Sequence, residues 1–198
     1  MPAGTTARVL TVEDDPIVRA DLRLILEDHG FDVCADARNG VEAVELAREH
    51  RPDLILIDLN LPELDGVEAT RRILDEREVP IVALTSYVAG DSIERAVEAG
   101  AVDHVTKPFS EAELVDTLRD VLTTRRLEAE RDADHHSIRS TIEAMLRENR
   151  TEKEIIAVVR SMTGEPAPPG ELLAALRRGA AWLRGLPSAI ARHTKRSA

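Results

Sequence analysis

The sequence predicts an α/β fold: a five-stranded, doubly wound parallel sheet followed by a small all-helical C-terminal segment. Three observations carry this. Short apolar runs alternate with amphipathic stretches over about the first 125 residues. Helix-capping residues open the amphipathic stretches, and several of these close on glycine. Chemically active residues follow four of the apolar runs: Glu13-Asp14-Asp15-Pro16, Asp58, Thr85-Ser86 and Lys107-Pro108. Those are the positions where an open α/β sheet carries its chemistry.

Taken in order, residues 9–12 read as a first buried strand. Asp15 is an N-cap and Pro16 an N1 residue for a helix that ends at Gly30, with Ile17, Leu22, Leu24, Ile25 and Leu26 as its apolar positions. Residues 31–37 form the second strand. Asn39 and Glu42 make a capping-box pair for the helix through Ala47. The run Leu54-Ile55-Leu56-Ile57 is the central strand and closes on Asp58. Asp65 and Glu68 start the third helix, which ends near Arg77. Residues 80–84 form the fourth strand, and Asp91 with Glu94 caps a helix ending at Gly100. Residues 102–105 form the fifth strand. Ser110 and Glu113 cap a fifth helix with Leu114, Val115, Leu118, Val121 and Leu122 on its apolar side. Buried strands joined by amphipathic helices require parallel pairing and right-handed crossovers.

The pattern changes near residue 126. Residues 126–137 are highly charged and read as a linker or an exposed continuation of the fifth helix. Ile138, Ile142 and Met145 recur at helical spacing. Thr151 and Glu154 form a capping box before Ile155, Ile156, Val158, Val159 and Met162. Gly164 and Pro166 stop that helix, and residues 171–184 form a last amphipathic one. The domain reading is therefore 1–125, a charged helical linker 126–137, and a helical output or interaction segment 138–198.

Composition excludes several classes. The chain is 43% hydrophobic, enough for a real core. A single cysteine, Cys34, excludes an internal disulfide framework and a cysteine-built zinc cluster. No apolar run is long enough to span a membrane and no signal-peptide h-region is evident, so a cytoplasmic protein is expected. The first 125 residues hold 13 Lys/Arg against 27 Asp/Glu, a formal −14; residues 126–198 hold 13 against 10, a formal +3. The first part repels nucleic acid by bulk charge and the tail does not.

The residues at the strand ends make a coherent chemical set. A carboxylate that is to receive a phosphoryl group must be exposed, and its repulsion with the donor must be cancelled. Glu13 and Asp14 follow the first strand and Asp58 ends the third. If those strands are neighbours, the acids converge and repel one another unless a hard cation joins them. Lys107 can pair with Asp58 before transfer and with a phosphoryl oxygen after it. Thr85 can donate its hydroxyl to another such oxygen. Phosphoryl transfer asks a protein mainly for positioning and electrostatics.

On the ordered set Glu13-Asp14, Asp58, Asn60-Leu61-Pro62, Asp65-Gly66, Thr85 and Lys107-Pro108, residues 7–125 resemble the receiver domain of two-component response regulators, a flavodoxin-like fold. The resemblance implies that Asp58 is the phospho-acceptor. It implies Mg²⁺ on Glu13, Asp14, Asp58 and the backbone carbonyl of Asn60. It further implies that Thr85 and Lys107 sense the phosphoryl group, that the bond before Pro108 is cis, and that a sensor histidine kinase or phosphotransfer protein is the donor. One position departs from the family. The aromatic switch residue of the fifth strand is His104 here, so the Thr85–His104 switch lacks a phenol ring.

Asp15 is a cap rather than a ligand. Tyr87 reads as a loop residue near the phosphoryl entrance. His135-His136 reads as a solvated helix face rather than a phosphotransfer site. Arg177, Arg178, Arg184 and Arg192 serve equally as a nucleic-acid contact or as the polar face of a helix. No output motif is recognised in the tail. Two expectations stand: a phosphorylation switch acting through homodimerisation or partner binding, and a phosphorylation-controlled DNA- or RNA-binding transcriptional regulator. A turnover enzyme is not expected, since nothing pairs a nucleophile with a base outside this set.

Overall fold

The protein is described from a computed structural model, which covers residues 6–86, 90–148 and 150–163. Eleven elements are assigned among the described residues. They are β1 (Arg8–Val12), α1 (Pro16–Asp28), β2 (Asp32–Ala37), α2 (Gly40–His50), β3 (Leu54–Asp58), α3 (Gly66–Glu76), β4 (Ile81–Ser86), α4 (Gly90–Glu98), β5 (Asp103–Lys107), α5 (Glu111–Arg147) and α6 (Glu152–Thr163). The chain divides into two compact units, Met1–Arg126 and Leu127–Ala198.

In the first unit all strands pair in parallel, in the order β2-β1-β3-β4-β5. The central strand β3 is buried at every position. Its side chains alternate between the two faces, as the pleat requires. Leu54 and Leu56 join Val9, Val82, Leu84 and Val105 against Leu22 and Leu26 of α1 and Leu114, Val115 and Leu118 of α5. Ile55 and Ile57 join Leu10, Val12 and Ile81 against Ala43 and Ala47 of α2 and Ala69 and Ile73 of α3. A smaller cluster of Leu59, Val67, Ala83, Ala96, Ala99 and Ala101 seats α3 and α4. This is the expected doubly wound sheet.

The helix starts follow the capping chemistry. Asp15 accepts from the backbone N–H groups of Ile17 and Val18, at 2.7 and 3.3 Å, with Pro16 next in line. Asn39 accepts from Glu42 N–H at 2.8 Å, and the Glu42 carboxylate turns back to Arg38 N–H at 2.9 Å. Asp65 accepts from Glu68 N–H at 2.8 Å, and Ser110 from Glu113 N–H at 3.2 Å. The expected cap at Asp91 falls on a side chain outside the described residues, and α4 already begins at Gly90.

Three expectations shift. In α1 only Leu22 and Leu26 are fully buried; Ile17 is 72% exposed and Leu24 59%. Apolar identity placed them in the stripe, but 100° per residue turns them to the open side of the helix. Strand β5 starts at Asp103, not 102, because its ladder with β4 runs from Val82↔Asp103 to Ser86↔Lys107. Val102 lies outside it and is exposed. The charged stretch 126–137 is helical throughout, part of α5, so the turn of helix read from Ile138 has no separate start.

In the second unit, Ile138 and Ile142 of α5 and Ile155 and Val159 of α6 are buried, each pair four residues apart. Thr151 and Glu154 make the expected capping contact: the Glu154 carboxylate accepts from Thr151 N–H and Oγ1, both at 2.9 Å. Tyr87, Gly164, Pro166, the helix expected over 171–184 and the basic residues beyond it lie outside the described residues, as does the His135 side chain.

Candidate functional site at the carboxyl edge of the sheet

Parallel pairing brings the strand ends to one edge. Val12 lies opposite Ile57 in the β1–β3 ladder, so Glu13, one residue on, arrives beside Asp58. Asp58 lies opposite Leu84 and Ser86 opposite Lys107, which carries the edge across to β5. Glu13 is 2% exposed and Asp58 7%, while Asp14 is open to solvent. A ligand oxygen from each of these three carboxylates lies within 4.8 Å of the others.

One cation joins the two buried ones. Lys107 Nζ donates to Glu13 Oε2 at 2.5 Å and to Asp58 Oδ2. Burial on its own would lower the Lys107 pKa, but the hydrogen bonds and charges of Asp58 and Glu13 outweigh it and the net shift is upward. Glu13 moves up as well. Burial is the main cause, the Asp58 charge adds to it, and Lys107 offsets only part. Three acids against one ammonium leave a net negative cluster of hard oxygen donors, and that donor set suits a small divalent cation.

The loops holding these groups are tied from several sides. Asp58 Oδ1 accepts from Asn60 N–H at 2.7 Å, closing a turn directly after β3. Gly66 opens α3 against the same strand: its N–H donates to Leu59 O at 3.0 Å, and a Cβ on it would stand 2.1 Å from Asp58 O. The Lys107–Pro108 peptide is cis, in keeping with the resemblance.

Arg19 was missed in the sequence. Its Nη1 donates to the carbonyls of Glu13 and Asp14, at 2.6 and 3.2 Å, and so holds the main chain of the acidic loop. A usable signal existed. Arg19 lies in the first turn of a helix, where a cation is disfavoured by the macrodipole unless it has another task.

Thr85 is buried, and its hydroxyl donates to Ser86 O at 3.4 Å. His104 lies on the edge strand with its side chain exposed; Ala83 is its partner in the ladder, so it sits diagonally from Thr85. Arg177, Arg178, Arg184 and Arg192 fall outside the described residues. Among the described residues no helix is long and apolar enough to cross a membrane.

This fold, with an acidic pocket and a lysine at the carboxyl edge, is that of a receiver domain. The family model for the response regulator receiver domain matches residues 9–119, more than half of the chain, and the chain belongs to that family. It is 42% identical over 113 residues to the transcriptional regulatory protein PdtaR of Mycobacterium tuberculosis. That match covers 57% of this chain and 55% of PdtaR, about half the relative's length. Among solved structures, the signal receiver domain of a modulated diguanylate cyclase from Desulfovibrio desulfuricans is 34% identical. It superposes with a TM-score of 0.59 over 63% of this chain and 99% of that one. The receiver domain of the sensor histidine kinase PA1611 from Pseudomonas aeruginosa is also 34% identical, with a TM-score of 0.55 over 60% of this chain and 99% of that chain. It was solved with a magnesium ion coordinated in its active-site cleft.

Proposed function

We propose that this response regulator accepts a phosphoryl group on Asp58 and is a switch, not a turnover enzyme. The observation that carries the reading is the convergence of Glu13, Asp14 and Asp58, with Lys107 bridging Glu13 and Asp58, at the edge where the family does its chemistry. Glu13, Asp14, Asp58 and the Asn60 carbonyl would hold Mg²⁺. Bound there, the ion supplies positive charge against the carboxylates and the incoming phosphoryl oxygens.

The chain's own residues do the rest. Asp58 presents a carboxylate oxygen to the phosphorus of a phosphohistidine on a sensor histidine kinase or phosphotransfer protein. The new P–O bond forms as the P–N bond breaks, and the freed imidazole takes a proton from solvent. Lys107 moves from the Asp58 carboxylate to a phosphoryl oxygen. The Thr85 hydroxyl turns from Ser86 O to donate to another, and His104 follows as the outward member of the switch pair. The proposed division is receiver 1–125, helical linker 126–137 and output 138–198. The output is read as a dimerisation or partner-binding module.

A second reading has one observation in its favour: PdtaR is named a transcriptional regulatory protein. On that reading Arg177, Arg178, Arg184 and Arg192 would contact DNA or RNA phosphates, in keeping with the positive formal charge of the tail. The test of the common core is direct. With acetyl phosphate and Mg²⁺ the protein should become labelled, and Asp58→Asn should abolish the label. Undiminished labelling of that variant would remove Asp58 from the role.

A further inference from the structure

The loop that follows Asp58 is held from behind by a side chain outside the acidic pocket. Asn39, at the start of α2, is 9% exposed and uses both ends of its amide. Its Oδ1 accepts from Glu42 N–H at 2.8 Å and caps the helix. Its Nδ2 donates to Glu63 Oε1 at 2.9 Å. The two contacts fix the orientation of the amide, since Glu42 N–H requires an oxygen and the Glu63 carboxylate requires a donor. Capping needs only the oxygen, and Asp or Ser would supply it equally well. The second contact therefore serves something other than the helix.

Glu63 is an unusual partner. Its backbone is left-handed, with φ +64, in a turn where Leu64 N–H donates to Pro62 O at 2.8 Å. A non-glycine residue holds that conformation at a cost, and persists in it where surrounding contacts enforce it. Here two contacts come from α2. Beside the hydrogen bond, Gly40 lets the helix approach so closely that a Cβ on it would stand 2.2 Å from Leu64 O. The other end of the same loop is tied by Asn60 N–H to Asp58 Oδ1 at 2.7 Å. The stretch 60–64 is thus pinned once by the candidate acceptor and once by α2, with Asn60 three residues from the Glu63 anchor.

We propose that Asn39 and Glu63 form a positioning pair that sets the loop carrying the Asn60 carbonyl, and thereby the affinity of the acidic pocket for Mg²⁺. This rests on the phospho-acceptor reading for its consequence but not for its measurement. Neither residue touches the acceptor or the ion. They act as partners behind a metal site act, by orienting a ligand group.

The pair can be inverted. Asn39→Asp keeps the helix cap but sets a carboxylate against Glu63. Glu63→Gln keeps an oxygen for Asn39 Nδ2. The double variant restores one donor and one acceptor with their polarity reversed. Mg²⁺ affinity of the full chain is measured by isothermal titration calorimetry, with thermal midpoint and labelling by acetyl phosphate alongside. Asn39→Asp should weaken Mg²⁺ binding about tenfold, the scale found for second-layer partners, with little change in midpoint. Glu63→Gln should bind as wild type, and the double variant should recover to within about twofold of wild type, the reversed pair having the same donor and acceptor count. An added negative charge alone would strengthen cation binding, so the expected direction separates geometry from charge. Asn39→Ser, which caps without an amide donor, is read if Asn39→Asp does not fold, and should show the same loss.

Wild-type affinity in Asn39→Asp or Asn39→Ser, or a loss that Glu63→Gln does not rescue, would overturn the pairing. If the wild-type chain binds Mg²⁺ but is never labelled, the acceptor reading fails while the pairing is still decided by the affinities. If it is labelled and the four affinities are equal, only the pairing fails.

Discussion

At the scale of single residues, the site is governed by the imbalance between buried acids and one base. Burial holds the Glu13 carboxyl above its ordinary value near 4.5, with Asp58 adding to the effect and Lys107 offsetting part. The sign of the stability effect follows. The folded state keeps a proton that the unfolded chain releases, so metal-free stability falls as pH rises from about 4.5 toward the raised folded value. Glu13→Gln should therefore raise the thermal midpoint of the metal-free protein at pH 7. It should also flatten that pH interval and remove most of the stabilisation by Mg²⁺. A midpoint at or below wild type without metal would contradict this account. Lys107 follows the same sign in a different window: its pKa is raised by its two carboxylate partners despite burial, so its contribution is present through neutral pH and is lost only in strong alkali.

At the scale of elements, close approach matters more than any single bond. Helix α3 starts where its first residue has no side chain, because a Cβ at Gly66 would collide with the Asp58 carbonyl at 2.1 Å. The atom it would meet is backbone of the central strand and cannot swing aside. Gly66→Ala should cost about 3 kcal/mol, the upper range for forcing atoms into a packed interior. Urea unfolding reads this as a lower midpoint at unchanged slope. A cost near zero would mean that α3 moves away freely, and that the loop before it is not set by packing. The capping residues are less demanding, since each contributes one or two bonds at a helix end: Asp15, Asn39, Asp65 and Ser110 all stand where their residue types predicted.

At the scale of the whole molecule, the receiver and the tail have opposite formal charge, and the question is what phosphorylation changes. The mass in solution, with and without beryllofluoride plus Mg²⁺, answers part of it. A rise in mass on activation alone is the expected result and would make residues 138–198 a dimerisation or partner module. A complex that forms only with DNA or RNA, and dissolves at high salt, would favour the nucleic-acid reading instead.

The sequence by itself determined the sheet, the order of its elements and the acidic pocket. Those rest on local signals: continuous apolar runs such as Leu54 to Ile57, caps such as Asp15, and carboxylates at strand ends. It did not reveal that Arg19 grips the acidic loop, that Lys107 bridges Glu13 as well as Asp58, or that Asn39 reaches Glu63. Each of these contacts depends on a side-chain direction or on the meeting of loops far apart in the chain, and no periodicity encodes either. Nor could composition tell which apolar residues of α1 face the core. Leu22 and Leu26 are inside and Ile17 and Leu24 outside because the sheet covers only one side of the helix. Tertiary structure decides such matters because burial is a property of the surface a residue meets, not of the residue.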